Sequence, residues 1–233
     1  MFPRVLFQIN EKLDIAMAIA FWGCREGGID FTKGIIGPHP VIRPFAKLSS
    51  VPRETALRSY VRSYYRRHRR VLQTIAERFQ KQWDQKAEEF FTELKYIFGG
   101  AAFPKGDYRG FVSIFNLNPR FLKDKAFQVY RDHPRGPIYV AAHELTHFMF
   151  YAYSRRRFSR FFKNADPDNG SYWSLAELFN AVVLSDPRFM KIHGNTHIDA
   201  YPAHRRYLPR LRAVWRKTHD VDIFIEAGWK LLQ

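Results

Sequence analysis

Residues 143 to 147 read His143-Glu144-Leu145-Thr146-His147. On a helix, positions i and i+4 lie on one face, one turn apart. Two imidazoles so placed can hold one Zn²⁺, and the Glu144 between them can take a proton from a water on the ion. The flanking residues read as a buried helix. Ile138-Tyr139-Val140-Ala141-Ala142 precede the motif and Phe148-Met149-Phe150 follow it. From Val140 to Tyr153 there is no Gly, no Pro and, histidines aside, no charge except Glu144. Gly136-Pro137 punctuates the chain just before. Buried polar groups without partners are costly, and one metal ion would satisfy the acid and both histidines.

A tetrahedral catalytic zinc takes a third protein ligand and leaves its last position to water. The metzincin pattern requires Gly at 150 and His at 153, where this chain has Phe150 and Tyr153. Glu177 is the leading third ligand. It is the only carboxylate or cation between Tyr172 and Leu184, a stretch that reads as a buried helix. His193 and His197 are the rivals, in a loop containing Gly, Asn and Asp. His39, between two prolines, is a weaker metal candidate.

An HExxH helix followed by a helix bearing Glu resembles the gluzincins, the thermolysin-like branch of the zincin metallopeptidases. The resemblance covers about residues 98–207 and rests on His143, Glu144, His147 and Glu177. It implies an α+β zincin-like fold, mostly helical, with a small mixed or antiparallel sheet packed on the HExxH helix. It implies zinc-dependent hydrolysis of peptide bonds, with His143, His147 and Glu177 on Zn²⁺. Glu144 would act as general base and pass the proton to the leaving amine. The family also uses a downstream His or Tyr to steady the oxyanion. Tyr201, His204 and Tyr207 are the candidates by type and order, with His204 and Tyr201 foremost. Larger members often carry an Asp four residues after the ligand Glu. Ala181 stands there in this chain, and Asn180 beside it could orient a ligand instead.

The surrounding elements must position these groups. Tyr108 to Asn118 is aromatic and β-branched, with turn residues ahead of it, and reads as a strand paired in a hairpin with Ala101-Ala102-Phe103. As an edge strand it would offer the backbone of Ser113 to Asn116 to an extended peptide. From Pro52 to Phe98 the chain lacks internal Pro and Gly, and apolar residues recur every three or four positions. Its length predicts a break near Arg66 to Val71. Arg4 to Ile9 reads as a strand, Glu11 to Trp22 as a helix and Gly27 to Pro44 as a loop. Pro209 to Gln233 reads as one or two amphipathic helices. The expected division is a mainly helical part, 1–98, packed on a catalytic part, 99–233.

Charge is the other departure from the ordinary. The 233 residues carry 38 Lys and Arg against 22 Asp and Glu, a net charge of +16. The excess gathers at Arg62 to Arg70, Arg155 to Lys163, and Arg205 to Lys217. Such clusters fit a polyanion, either nucleic acid or an acidic protein, or simply a solvated surface. They support an alternative reading: a basic nucleic-acid-associated binding protein whose zinc site is structural or vestigial. A single cysteine, Cys24, excludes an intramolecular disulfide and suits a reducing compartment. The apolar run Ile15 to Cys24 is too short to span a bilayer, so no transmembrane segment is expected and the cytoplasm is the expected location.

Overall fold

The computed structural model of the chain describes residues 2–233. It begins with β1 (Val5–Ile9), α1 (Glu11–Ala20), β2 (Arg25–Glu26), β3 (Ile29–Asp30) and α2 (Thr32–Ile36). A 3-10 segment, Pro40–Lys47, leads into α3 (Ser50–Asp84) and α4 (Ala87–Ile97). Next come β4 (Tyr108–Ser113), β5 (Arg120–Phe121), β6 (Ala126–Tyr130), α5 (Gly136–Arg157) and α6 (Ser159–Phe162). The chain ends with α7 (Gly170–Val183), α8 (Pro187–His193), a 3-10 segment at Pro202–Tyr207, α9 (Leu208–Thr218) and α10 (Val221–Leu232). This is an α+β chain, mostly helical, with a small four-stranded mixed sheet and a two-stranded antiparallel pair, β2-β3. Among the described residues no helix is long and apolar enough to cross a membrane.

The chain forms two compact units that interleave in sequence. One holds residues 4–83 and 107–140; the other holds residues 2–3, 84–106 and 141–233. A cut at 98/99 does not follow this grouping, because β1 and β4, from opposite sides of that cut, pair with each other.

In the first unit the sheet order is β1-β4-β6-β5, parallel except for the short β5. β4 therefore lies inside the sheet, and all its residues but Arg109 are buried. Interior parallel strands read as continuous apolar runs, which is why this one was legible as a strand but not as a central one. The expected hairpin is absent: Ala101 to Phe103 form no strand. Much of the backbone of Ser113 to Asn116 is also engaged. Ile114 N donates to Asp14, and Asn116 N to Gly34 O. Ser113 O accepts from Arg131 N, and Ile114 O pairs with His39 Nε2. The expected docking of a peptide on that strand is overturned. The β1 edge is covered as well. Phe7 N donates to Gln80 Oε1 at 2.8 Å, and Gln80 Nε2 donates to Val5 O at 3.0 Å.

α3 runs unbroken where a break was expected. Its buried residues step from Tyr65 to Leu72, seven positions, which is two turns and returns to the same face. His68 fills the interval, its ring 4.4 Å from that of Tyr64. The chain turns instead at Gln85-Lys86. The expected loop Gly27 to Pro44 holds β3, α2 and the start of the 3-10 segment. Within it His39 is a core residue, its Nδ1 2.7 Å from Tyr60 Oη and its Nε2 2.9 Å from Ile114 O.

The second unit is built around α7, buried from Leu175 to Val183. Phe179 is its hub, with ring centres 5.0 Å from Phe150, 5.3 Å from Phe224 and 5.5 Å from Phe98. Gly228 of α10 meets α7 closely; a Cβ there would lie 2.4 Å from Leu175 Cδ1. The tail, which reads as one or two helices, forms two, α9 and α10.

Candidate metal centre

His143 and His147 sit one turn apart on α5, and Glu177 lies in the middle of α7. Most of the residues around them on both helices are apolar and buried. His147 Nε2 lies 3.1 Å from Glu177 Oε1, and His143 Nε2 lies 3.2 Å from Glu177 Oε2. The two Nε2 atoms are 3.1 Å apart. Among the described residues this is the one group of three or more His, Cys, Asp or Glu side chains whose ligand atoms converge.

These distances bear on what the group can hold. Each imidazole can place a proton between its Nε2 and one Glu177 oxygen, but the two Nε2 atoms then face each other as donors at 3.1 Å. A cation among them replaces that donor–donor contact with ligation. Zn–N and Zn–O bonds of about 2.0–2.1 Å in a tetrahedron put neighbouring ligand atoms roughly 3.3 Å apart, close to the spacing found here. The donor set of two imidazoles and one carboxylate suits zinc chemistry, so the residues present fit the ion.

The electrostatics point the same way. Burial works to raise the Glu177 carboxyl, but the facing histidines outweigh it and hold the group well below its usual range. Glu177 is therefore anionic. His143 keeps a 20% exposed side chain, while His147 is fully buried. Glu144 is buried next to them, its Oε1 4.0 Å from His143 Nε2.

His204 belongs to the same neighbourhood. It is buried in the 3-10 segment Pro202–Tyr207, with its ring centre 5.1 Å from Trp173 and 5.8 Å from Tyr201. Trp173 precedes Glu177 by one turn of α7. Burial lowers the pKa of His204, against the opposing pull of the Glu177 carboxylate. Its buried Nδ1 has no hydrogen-bond partner among the described residues. Tyr201 packs on Trp173 at 5.1 Å. Tyr207 is turned to Arg206, which donates to its hydroxyl at 2.6 Å and covers its ring. The rival ligands lie elsewhere. His193 Nε2 is 2.9 Å from Leu184 O, and His197 is exposed.

Comparison with protein families, curated proteins and solved structures finds no match to this chain.

Three of its residues were not singled out by sequence, or only in part. Asn180 Nδ2 donates to the backbone carbonyl of His143 at 2.8 Å, so it ties α7 to the helix that carries the histidines. Tyr151 stacks on His147 at 5.8 Å and 17°, and its hydroxyl donates to Pro167 O. Trp173 holds both His204 and Tyr201. Each signal was helical spacing: Tyr151 is four residues after His147, and Trp173 four before Glu177.

Proposed function

We propose that this chain is a zinc-dependent peptidase, with His143, His147 and Glu177 as the metal ligands. The observation that carries the reading is the convergence of those ligand atoms at 3.1–3.2 Å, with Glu144 beside them. When bound there, zinc would act as a Lewis acid and acidify a water to a pKa of about 7. The chain's own residues do the rest. Glu144, next to His143 in α5 with its Oε1 4.0 Å from that imidazole, receives a proton and returns it to the leaving amine. His204, neutral because burial lowers its pKa, offers an imidazole N–H to a developing oxyanion. Tyr201 is the second donor candidate. Asn180 and Tyr151 hold the His143 and His147 segments in register.

The test is Glu144→Gln in the full chain. Cleavage of a mixed peptide library should fall by about 10²–10⁴-fold, while bound zinc stays at one equivalent. Undiminished cleavage would remove Glu144 from the chemistry. Zinc bound by wild type with no cleavage of any peptide would leave the site structural.

A further inference from the structure

Between Glu54 and Glu77, α3 carries Arg58, Arg62, Arg66, Arg67, Arg69 and Arg70, with no carboxylate and no lysine. All six are exposed. The opposite face of the helix is buried through Leu57, Val61, Tyr65 and Leu72, so the arginines are held on a fixed rod. Arg58 reaches Glu54 at 4.0 Å. Among the described residues, no carboxylate pairs with Arg62, Arg66, Arg69 or Arg70. Arg62–Arg66 and Arg66–Arg70 are i,i+4 like-charge pairs, an arrangement that weakens a helix. A face selected only for solvation would alternate signs or use lysine. This one accumulates guanidinium, whose planar fork binds phosphate oxygens two at a time.

We infer that the solvent face of α3 binds the phosphate backbone of a nucleic acid without regard to sequence. From Arg58 to Arg70 the helix advances about 18 Å, a length that faces about five phosphates of one strand. An anionic membrane fits less well. A helix lying on a bilayer inserts its apolar face, and the apolar face of α3 is already in the core. An acidic protein would supply charge but not a regular row of phosphates.

The experiment measures binding of the full chain to a labelled 20-base-pair duplex of arbitrary sequence, by fluorescence anisotropy from 50 to 200 mM NaCl. It does not depend on cleavage, so it stands or falls separately from the peptidase reading. The variant combines Arg62→Gln, Arg66→Gln, Arg69→Gln and Arg70→Gln, with helix content checked by circular dichroism. Should it fail to fold, the pair Arg66→Gln and Arg70→Gln replaces it. A control combines Arg206→Gln, Arg210→Gln, Arg216→Gln and Lys217→Gln, all exposed and removing the same charge. The α3 variant should bind at least tenfold more weakly at 100 mM, with its salt slope reduced by about 3–4; the control should lose much less. Equal losses in both, or no binding by wild type, would overturn the inference. So would tighter binding to vesicles of equal phosphatidylserine and phosphatidylcholine, or equal competition by polyglutamate at matched charge.

Discussion

Glu177 stands in the middle of a helix whose other inward residues, Asn180 aside, are almost all apolar, where an unpartnered carboxylate would be costly. Its two oxygens face two imidazoles instead. Glu177→Gln keeps the shape and removes the charge, so it separates ligation from packing. Zinc affinity, read by competition with a chromogenic chelator, should fall at least about 100-fold, since even groups that only support a ligand are worth about 10–100-fold. Unchanged affinity would strike Glu177 from the ligand set. His143 and His147 were legible because their i,i+4 spacing fixes a shared face, and Glu144 because it completes the motif between them. Glu177 was legible because it is an isolated charge in an apolar run. Asn180 was noticed only as a departure from a pattern. Its bond to the His143 carbonyl depends on how α7 docks on α5, which no local spacing encodes.

Elements are also joined by another buried carboxylate, which no local pattern singles out. Asp14 of α1 accepts from Ser113 Oγ at 2.6 Å and Gln128 Nε2 at 2.7 Å through Oδ1. Its Oδ2 accepts from Tyr65 Oη at 2.7 Å and Ile114 N at 3.1 Å. One side chain thus links α1 to α3, β6 and the end of β4. Burial raises its pKa from 3.8 to about 6, although all four donors pull it down. The folded state then holds the proton more tightly than the unfolded state. The associated stability is present below about pH 4 and is lost as pH rises through about 6. Between pH 5 and 7.5 that loss is about 1.4 kcal/mol. Asp14→Asn lacks this dependence and has fewer acceptors for those donors. Its stability deficit, from urea unfolding with other groups common to both proteins, should narrow by about that amount from pH 5 to 7.5. A constant deficit would mean that Asp14 ionises in the fold as it does in water. Asp14 was hidden because a charge in an amphipathic helix ordinarily faces solvent; what buries it is a pairing of β1, β4 and β6 across a hundred residues. The same long-range pairing put β4 inside the sheet, while the continuity of α3 was local and misread only at the seven-residue step.

At the scale of the molecule, the charge of +16 is uncompensated. The ion pairs outside the candidate site are largely exposed, as with Arg25–Asp30, Arg157–Asp222 and Arg205–Asp199. Exposed pairs contribute little to stability. Like-charge repulsion therefore has little to offset it, and it is opposed mainly by burial of apolar surface. Composition made the sum legible, but not the fact that six arginines share one rigid helix face. Raising NaCl from 10 to 150 mM shortens the screening length from roughly 30 Å to about 8 Å. If that relieves about 1–2 kcal/mol of repulsion, the thermal midpoint should rise by about 2–8 °C for a chain of this size. A flat or falling midpoint would mean that attractive pairs dominate. The α3 variant sharpens the test, because it lowers the net charge from +16 by 4, to +12. Repulsion of spread charge scales with the square of that number, so a diffuse surface would keep about half of the salt effect. The four removed charges are neighbours on one helix, where repulsion is strongest. The variant should therefore keep less than half, and its midpoint in 10 mM NaCl should exceed that of the wild type. A lower midpoint would show that those arginines stabilise the folded chain through contacts of their own.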